Sequence, residues 1–152
     1  MAGRVLSPGC QADMMPVLVG AEGLNKSTGI KALVPSMEQY AELTFDSKDA
    51  DTARKMRGVL DGEVAELRGL QSRDEEAILT FVTRTHETWV PKFKEFSVKF
   101  PRRLLLIGTA NNDEFLNGER RNRRWLPLHA SQVDVDAIKR DRDLLWAEAR
   151  EL

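Results

Sequence analysis

Short apolar blocks alternate with amphipathic stretches along this chain. Residues 16–19 are apolar throughout and predict a first strand, and residues 26–34 predict a helix. Residues 41–45 predict a short strand. Residues 49–57 have helical composition and Gly58 is a fitting stop, after which residues 59–65 predict another strand. Ser72, Arg73, Asp74 and Glu75 form a capping box before a helix whose Ala77, Ile78, Phe81 and Val82 share one face. Residues 87–100 mix aromatics with lysines and predict a hairpin or an ordered loop. Leu104, Leu105, Leu106 and Ile107 form a continuous apolar run, the pattern of a strand buried on both faces of a parallel sheet. Residues 125–128 predict a last short strand. Ser131, Gln132, Val133 and Asp134 form a second capping box; the helix after it is expected to bury Val135, Ile138, Leu145 and Ala149, with Trp146 beside them.

Strands alternating with helices predict an α/β sandwich with a mostly parallel central sheet. Gly3, Pro8 and Gly9 break any regular pattern in residues 1–15, which predicts a loose lead-in. The core is expected over residues 16–130, with a C-terminal helix over 131–152 packed on it.

A chain of 152 residues suggests one domain, and 41% hydrophobic with 31% charged residues excludes a disordered chain. The net charge of −1 creates no global field for nucleic acid, so any such binding must come from local patches. A single cysteine, Cys10, excludes an intramolecular disulfide and fits a reducing cytosol. No apolar run approaches membrane-spanning length and residues 1–15 lack a secretory pattern, so a cytoplasmic location away from membranes is expected. His86 and His129 stand alone, which argues against a protein-held zinc.

The first strand runs into Gly20-Ala21-Glu22-Gly23-Leu24-Asn25-Lys26-Ser27-Thr28. Strand, glycine-bearing loop and Lys-Ser-Thr at a helix start is the layout of a phosphate-binding loop, GxxxxGK[ST]. In such loops backbone N–H groups face phosphate oxygens, the lysine reaches the β- and γ-phosphates, and the next hydroxyl binds magnesium. Asn25 stands where the second glycine belongs. Asparagine is the non-glycine residue most tolerant of a left-handed backbone, so the loop shape can survive. A nucleotide machine also needs an acidic group at a strand end, a polar sensor on a neighbouring strand and cations for the γ-phosphate. Glu63 and Glu66, then Asn111 and Asn112, then Arg120, Arg121, Arg123 and Arg124 follow in that order.

The strings VLVGAEGLNKST, KDADTARKMRG, GEVAEL, ETWVPKFKEF, FPRRLLLIGTANNDEFL, NRRWLPL and DRDLLWAEA together resemble the virulence-associated protein E family. The resemblance spans residues 9–149 and is most specific over 101–127. It implies a RecA/AAA-like P-loop NTPase core, a three-layer sandwich, from a phage- or prophage-encoded ATPase of a bacterial cell. Such domains are similar to superfamily 3 helicases, which assemble as rings on single-stranded DNA. The implied cofactors are ATP and Mg2+. Lys26 resembles the phosphate lysine and Ser27 the magnesium hydroxyl, with Gly20, Glu22, Gly23, Asn25 and Thr28 completing the loop. The family pattern ExxEL falls on Glu63 and Glu66; Glu66 would orient water or share magnesium with Glu63. Asn111 resembles the sensor asparagine. Arg123 and Arg124 match paired arginines that, by analogy with ring helicases, act on a neighbouring subunit's ATP. Lys92, Lys94 and Lys99 fall in the region that carries a DNA-contacting hairpin. A partner replication protein is also implied.

The chain departs from the family pattern at Asn25 and at Asp61-Gly62, where the family is apolar. Glycine weakens a strand, and a buried aspartate without a partner is costly. Only 19 residues precede Gly20, which suggests an isolated or truncated ATPase core. These departures keep open a second reading, a degenerate P-loop module that does not hydrolyse ATP and acts as a DNA- or partner-binding unit. Single residues carry competing roles too. A two-residue strand period puts Glu63 and Glu66 on opposite faces unless the strand ends between them. The lysines at 92, 94 and 99 alternate partly with Phe93, Phe96 and Phe100, as a half-buried hairpin would, and Trp89 and Phe93 are expected in the core. The arginine run can be a solvated charge cluster.

Overall fold

A computed structural model describes residues 3–45, 49–67, 75–113 and 124–151. Its centre is a five-stranded sheet in which every paired neighbour runs parallel. In chain order the elements are α1 (Gly3–Leu6), β1 (Met15–Val19), α2 (Lys26–Leu33), β2 (Tyr40–Glu42), α3 (Asp49–Lys55), β3 (Asp61–Val64) and α4 (Glu75–Thr83). A hairpin of β4 (His86–Trp89) and β5 (Val98–Pro101) follows, then β6 (Leu105–Ala110), β7 (Trp125–His129) and α5 (Val135–Glu151). The sheet order is β2-β3-β6-β1-β7. Parallel neighbours cannot be joined by tight turns, so helices cross over and cover both faces.

One face carries the main core. Met15, Val17, Val64, Leu106 and Trp125 of the sheet pack with Phe45 and with Ile78, Phe81 and Val82 of α4. Phe45 meets Phe81 and Trp125 edge-on at 5.9 and 6.3 Å. The other face carries α2 and α5, with Val5, Val34 and Leu60 buried against Tyr40, Leu105 and Trp146. The result is the three-layer α/β arrangement expected from the alternating pattern.

Several local expectations are corrected. The stretch expected to be a loose lead-in holds α1, whose Arg4 and Val5 are buried; Arg4 donates to the Cys10 and Ala12 carbonyls at 3.2 and 3.3 Å. Gly62 does not interrupt β3. A Cβ there would lie 2.4 Å from Leu104 Cδ1 and 2.7 Å from Leu43 Cδ1, so those two side chains fill the space beside Gly62 and a larger residue would have to displace them. Asp61 beside it is fully buried, and among the described residues neither carboxylate oxygen has a hydrogen-bond partner. The second capping box is not used as such: Asp134, not Ser131, caps α5, accepting from the Ala137 N–H at 2.9 Å. The helix buries no residue fully, and Leu145 is 43% exposed. Its main contact is a seam on α2, where Trp146 donates to the Leu33 carbonyl at 2.8 Å and Gly29 leaves room for Ile138 and for Val133 just before the helix. The first capping box at Ser72, Arg73 and Asp74 lies outside the described residues.

The stretch at 87–100 is an antiparallel hairpin. Trp89 is buried edge-on to Phe100, as expected. Phe93 is not in the core: it is fully exposed at the tip, with a left-handed φ of 62°, and Phe96 is 80% exposed. The hairpin is anchored at its base instead. Arg102, wholly buried, donates to Glu87 through Nε at 2.7 Å and through a second nitrogen, and to the Phe81 carbonyl at 2.5 Å. Glu87 also accepts from Arg84 at 3.2 Å. A buried carboxylate with this set of partners has its desolvation offset by charge-assisted bonds.

Candidate functional site

The carboxyl ends of β3, β6 and β1 lie side by side, and the candidate residues converge there. The chain leaves β1 at Val19 and enters α2 at Lys26 through a loop that only particular residues permit. A Cβ on Gly20 would lie 2.4 Å from the Ala130 carbonyl oxygen, so this position requires glycine. Asn25 has φ 60° and ψ 28°, the left-handed geometry for which glycine is the usual residue. Its carbonyl accepts the first bond of α2, from Gly29 at 2.8 Å. The N-terminal N–H groups of α2 therefore open onto the loop, where a helix favours anions.

Lys26 is buried, yet its ammonium keeps three oxygen partners. It donates to the Gly20 and Ala21 carbonyls at 2.5 and 2.9 Å and to Asn111 Oδ1 at 3.2 Å. Ser27 donates its hydroxyl to Glu63 Oε1 at 2.5 Å, and Glu63 is fully buried. Tyr40 donates to the other oxygen, Oε2, at 2.6 Å. Burial, with the bond to Glu63 second, pushes the Tyr40 phenol well up, so it stays a donor at neutral pH.

Glu66 reaches the same cleft because β3 ends at Val64, between the two glutamates. The turn Ala65–Leu67 puts Glu66 at φ 52° and Leu67 at φ 47°, and the Glu66 N–H donates to Thr109 Oγ1 at 3.0 Å. The resulting cleft holds about 370 Å³ and is lined by Glu22, Gly23, Asn25, Lys26, Ser27, Thr28, Glu42, Glu66, Thr109 and Asn111 among others.

The remaining candidates lie elsewhere. Arg124 precedes β7, at the end of the sheet opposite the loop, and donates to the Leu79 carbonyl at 3.4 Å. Arg120, Arg121 and Arg123 lie outside the described residues. Lys92, Lys94 and Lys99 are exposed on the hairpin of β4 and β5. Sequence reasoning missed Tyr40, Thr109 and Glu42. Thr109 lies in the string before Asn111 but has no role in that pattern; Tyr40 and Glu42 sit in no motif and are found only once β2 is known to pair with β3.

A family model for the virulence-associated protein E-like domain matches residues 1–152. The chain belongs to that family. No curated protein matches it. Two solved structures of the NrS-1 C-terminal region, both apo, resemble this virulence-associated protein E-like domain in fold. One has TM-score 0.55 at 16% identity, covering 80% of this chain and 29% of its own; the other has TM-score 0.58 at 14% identity, covering 88% and 35%. The domain thus spans about a third of the solved chains it resembles. The family is P-loop NTPase-like, which implies nucleotide binding. Among the described residues no helix is long and apolar enough to cross a membrane.

Proposed function

We propose that this domain binds Mg-ATP at residues 20–28 and hydrolyses it within a ring that moves along single-stranded DNA. The observation that carries the reading is the hydrogen bond from Ser27 to the buried Glu63, one residue from Lys26 at the start of α2. A serine hydroxyl and a carboxylate are hard oxygen donors, and they fit magnesium bound jointly with nucleotide phosphates. Among the described residues Glu63 bonds to the Ser27 and Tyr40 hydroxyls and to no cation, which leaves room in its partner set for a divalent ion beside Ser27.

In this reading Lys26 presents its ammonium to the β- and γ-phosphates, and the α2 N-terminus presents backbone N–H groups. Ser27 and Glu63 would hold magnesium, which supplies charge neutralisation on the phosphates when bound. Glu66, exposed in the cleft, orients and polarises the attacking water. Asn111, bonded to Lys26, senses the γ-phosphate. Arg124 lies at the far end of the sheet from its own loop, which favours a role, with Arg123, on a neighbouring subunit's ATP. The test is ATP hydrolysis by a demonstrably oligomeric sample with single-stranded DNA. Turnover no higher than that of a Lys26→Ala control would sink the proposal.

The degenerate reading turns on Asn25. Its left-handed backbone supports a functional loop, so Asn25→Gly is expected to change Mg-ATP affinity by less than about threefold, since asparagine already tolerates this geometry. Turnover that appears only in Asn25→Gly would instead establish the non-hydrolysing module.

The hairpin supports the DNA part. Phe93 and Phe96 stand exposed beside Lys92 and Lys94, which suits stacking on splayed bases together with phosphate contacts. Phe93→Ala and Phe96→Ala are each expected to weaken binding of a labelled oligo-dT about tenfold, from the ~1–3 kcal/mol of a base–aromatic stack. Lys92→Ala and Lys94→Ala are expected to flatten the salt dependence. Anisotropy titrations at several salt concentrations separate the two effects, and unchanged affinity in both Phe variants would remove the stacking role.

A further inference from the structure

The Glu63 carboxylate is held at two points, and the motif accounts for only one. Oε1 accepts from Ser27, inside the phosphate-binding loop. Oε2 accepts from Tyr40, which belongs to no motif and enters from the outer strand β2. Strand pairing explains the reach. Tyr40 is paired with Asp61, so Tyr40 and Glu63 share a face and stand diagonal to one another, within range of a long side chain.

The tyrosine ring has a second contact, with α2. Lys31 Nζ lies 5.1 Å from the centre of its ring. Ser27 and Lys31 are four residues apart and share a face of α2, so α2 meets this pair of side chains twice. The chain of contacts is closed: Ser27 to Glu63, Glu63 to Tyr40, Tyr40 to Lys31, and Lys31 back to Ser27 along α2.

A glutamate has one more rotatable bond than an aspartate. Without a second anchor, the carboxylate could turn and carry Oε1 away from Ser27 even with the backbone in place. With Oε2 held by the phenol, Oε1 stays on the hydroxyl that would share the metal. We propose that Tyr40 is a positioning residue for magnesium: it orients Glu63 so that Ser27 and Glu63 act together on the metal of Mg-ATP. The inference rests on reading residues 20–28 as a Mg-nucleotide site. It concerns the metal and not the phosphates, because the Lys26 ammonium bonds to Gly20, Ala21 and Asn111 rather than to Tyr40 or Glu63.

The test separates metal from nucleotide. Tyr40→Phe keeps the ring under Lys31 and removes only the hydroxyl. Calorimetry should find Mg-ATP binding weakened about tenfold, the scale of one hydrogen bond to a charged group. ATP binding in excess chelator should stay within about twofold of wild type. A purely structural role would move both affinities or neither. Tyr40 is also the single tyrosine of the chain, so 3-fluorotyrosine labelling of the unmutated protein yields one 19F resonance. That resonance should shift on addition of Mg-ATP and stay in place with ATP and chelator, a readout that survives even if Tyr40→Phe folds poorly. Lys26-dependent Mg-ATP binding with an unmoved resonance, or with equal affinity in Tyr40→Phe, overturns the role of Tyr40 and leaves the nucleotide site intact. Absence of any Lys26-dependent nucleotide binding overturns both.

Discussion

Lys26→Met is expected to weaken Mg-ATP binding at least about 100-fold, from the loss of ~3 kcal/mol or more of charge-assisted bonds to phosphate. Methionine is the informative choice because Lys26 is buried. Its stem is packed, and a methionine keeps most of that volume while removing the ammonium. The change also leaves the Gly20 and Ala21 carbonyls and Asn111 Oδ1 without this donor. A stability loss of about 1–3 kcal/mol is therefore expected alongside the binding loss. Binding should be measured by calorimetry well below the variant's melting temperature, with circular dichroism to verify folding. Wild-type affinity in a folded Lys26→Met protein would remove the phosphate-binding role of this loop.

The second large effect comes from Asp61, outside the loop. Burial pushes its carboxyl up from 3.8 to about 7. Among the described residues neither oxygen has a hydrogen-bond partner, which agrees in direction with that shift. Below pH 4 both folded and unfolded chains carry the proton, so the shift has no effect on stability. Between pH 4 and 7 the unfolded chain releases its proton while the folded chain keeps it, and stability falls as pH rises. Above pH 7 the folded form also ionises and the loss levels off. A rise from 3.8 to about 7 corresponds to a loss of about 4 kcal/mol over that window. Asp61→Asn has nothing to titrate there. The variant should gain on wild type by about that amount between pH 4 and 8, a difference of roughly 8–16 °C in melting temperature for a domain of this size. Parallel pH profiles for the two proteins would show that Asp61 is solvated or paired in solution.

Much of the site is legible in local patterns. Gly20, Asn25, Lys26 and Ser27 announce a strand, a tight loop and a helix start within a few residues, and those features depend on neighbours in sequence. The run from Leu104 to Ile107 marks a strand buried on both faces for the same reason, although β6 extends to Ala110. The left-handed backbone at Asn25 is one that the residue tolerates better than other non-glycine residues. Glu63 and Glu66 are legible as a pair, but strand parity argues against their sharing a site. The turn after Val64 brings Glu66 to the cleft that Lys26 and Ser27 line, and no residue in the segment announces it.

The positions that local patterns misplace depend on distant contacts. Phe93 is aromatic and lies among lysines, a pattern shared by a half-buried strand and an exposed tip; only the packing of Trp89 on Phe100 decides which residue goes inside. Gly62 has the mark of a break in β3, but Leu43 and Leu104 occupy the space a side chain would need. Leu145 has the right spacing for a buried helical face, yet α5 meets the body along a seam too narrow to cover it.

The order of residues is enough to specify the alternation of strands and helices, the strand–loop–helix layout around Gly20, Asn25 and Lys26, and the succession of acidic and polar candidates. Periodicity, turn chemistry and helix capping are local, so a single chain displays them. Folding in three dimensions was needed to bring Lys26 to Asn111, 85 residues away, and to converge Ser27 and Tyr40 on Glu63, 36 and 23 residues from it. Strand order and register set those meetings, and both arise from burying apolar faces against partners remote in the chain.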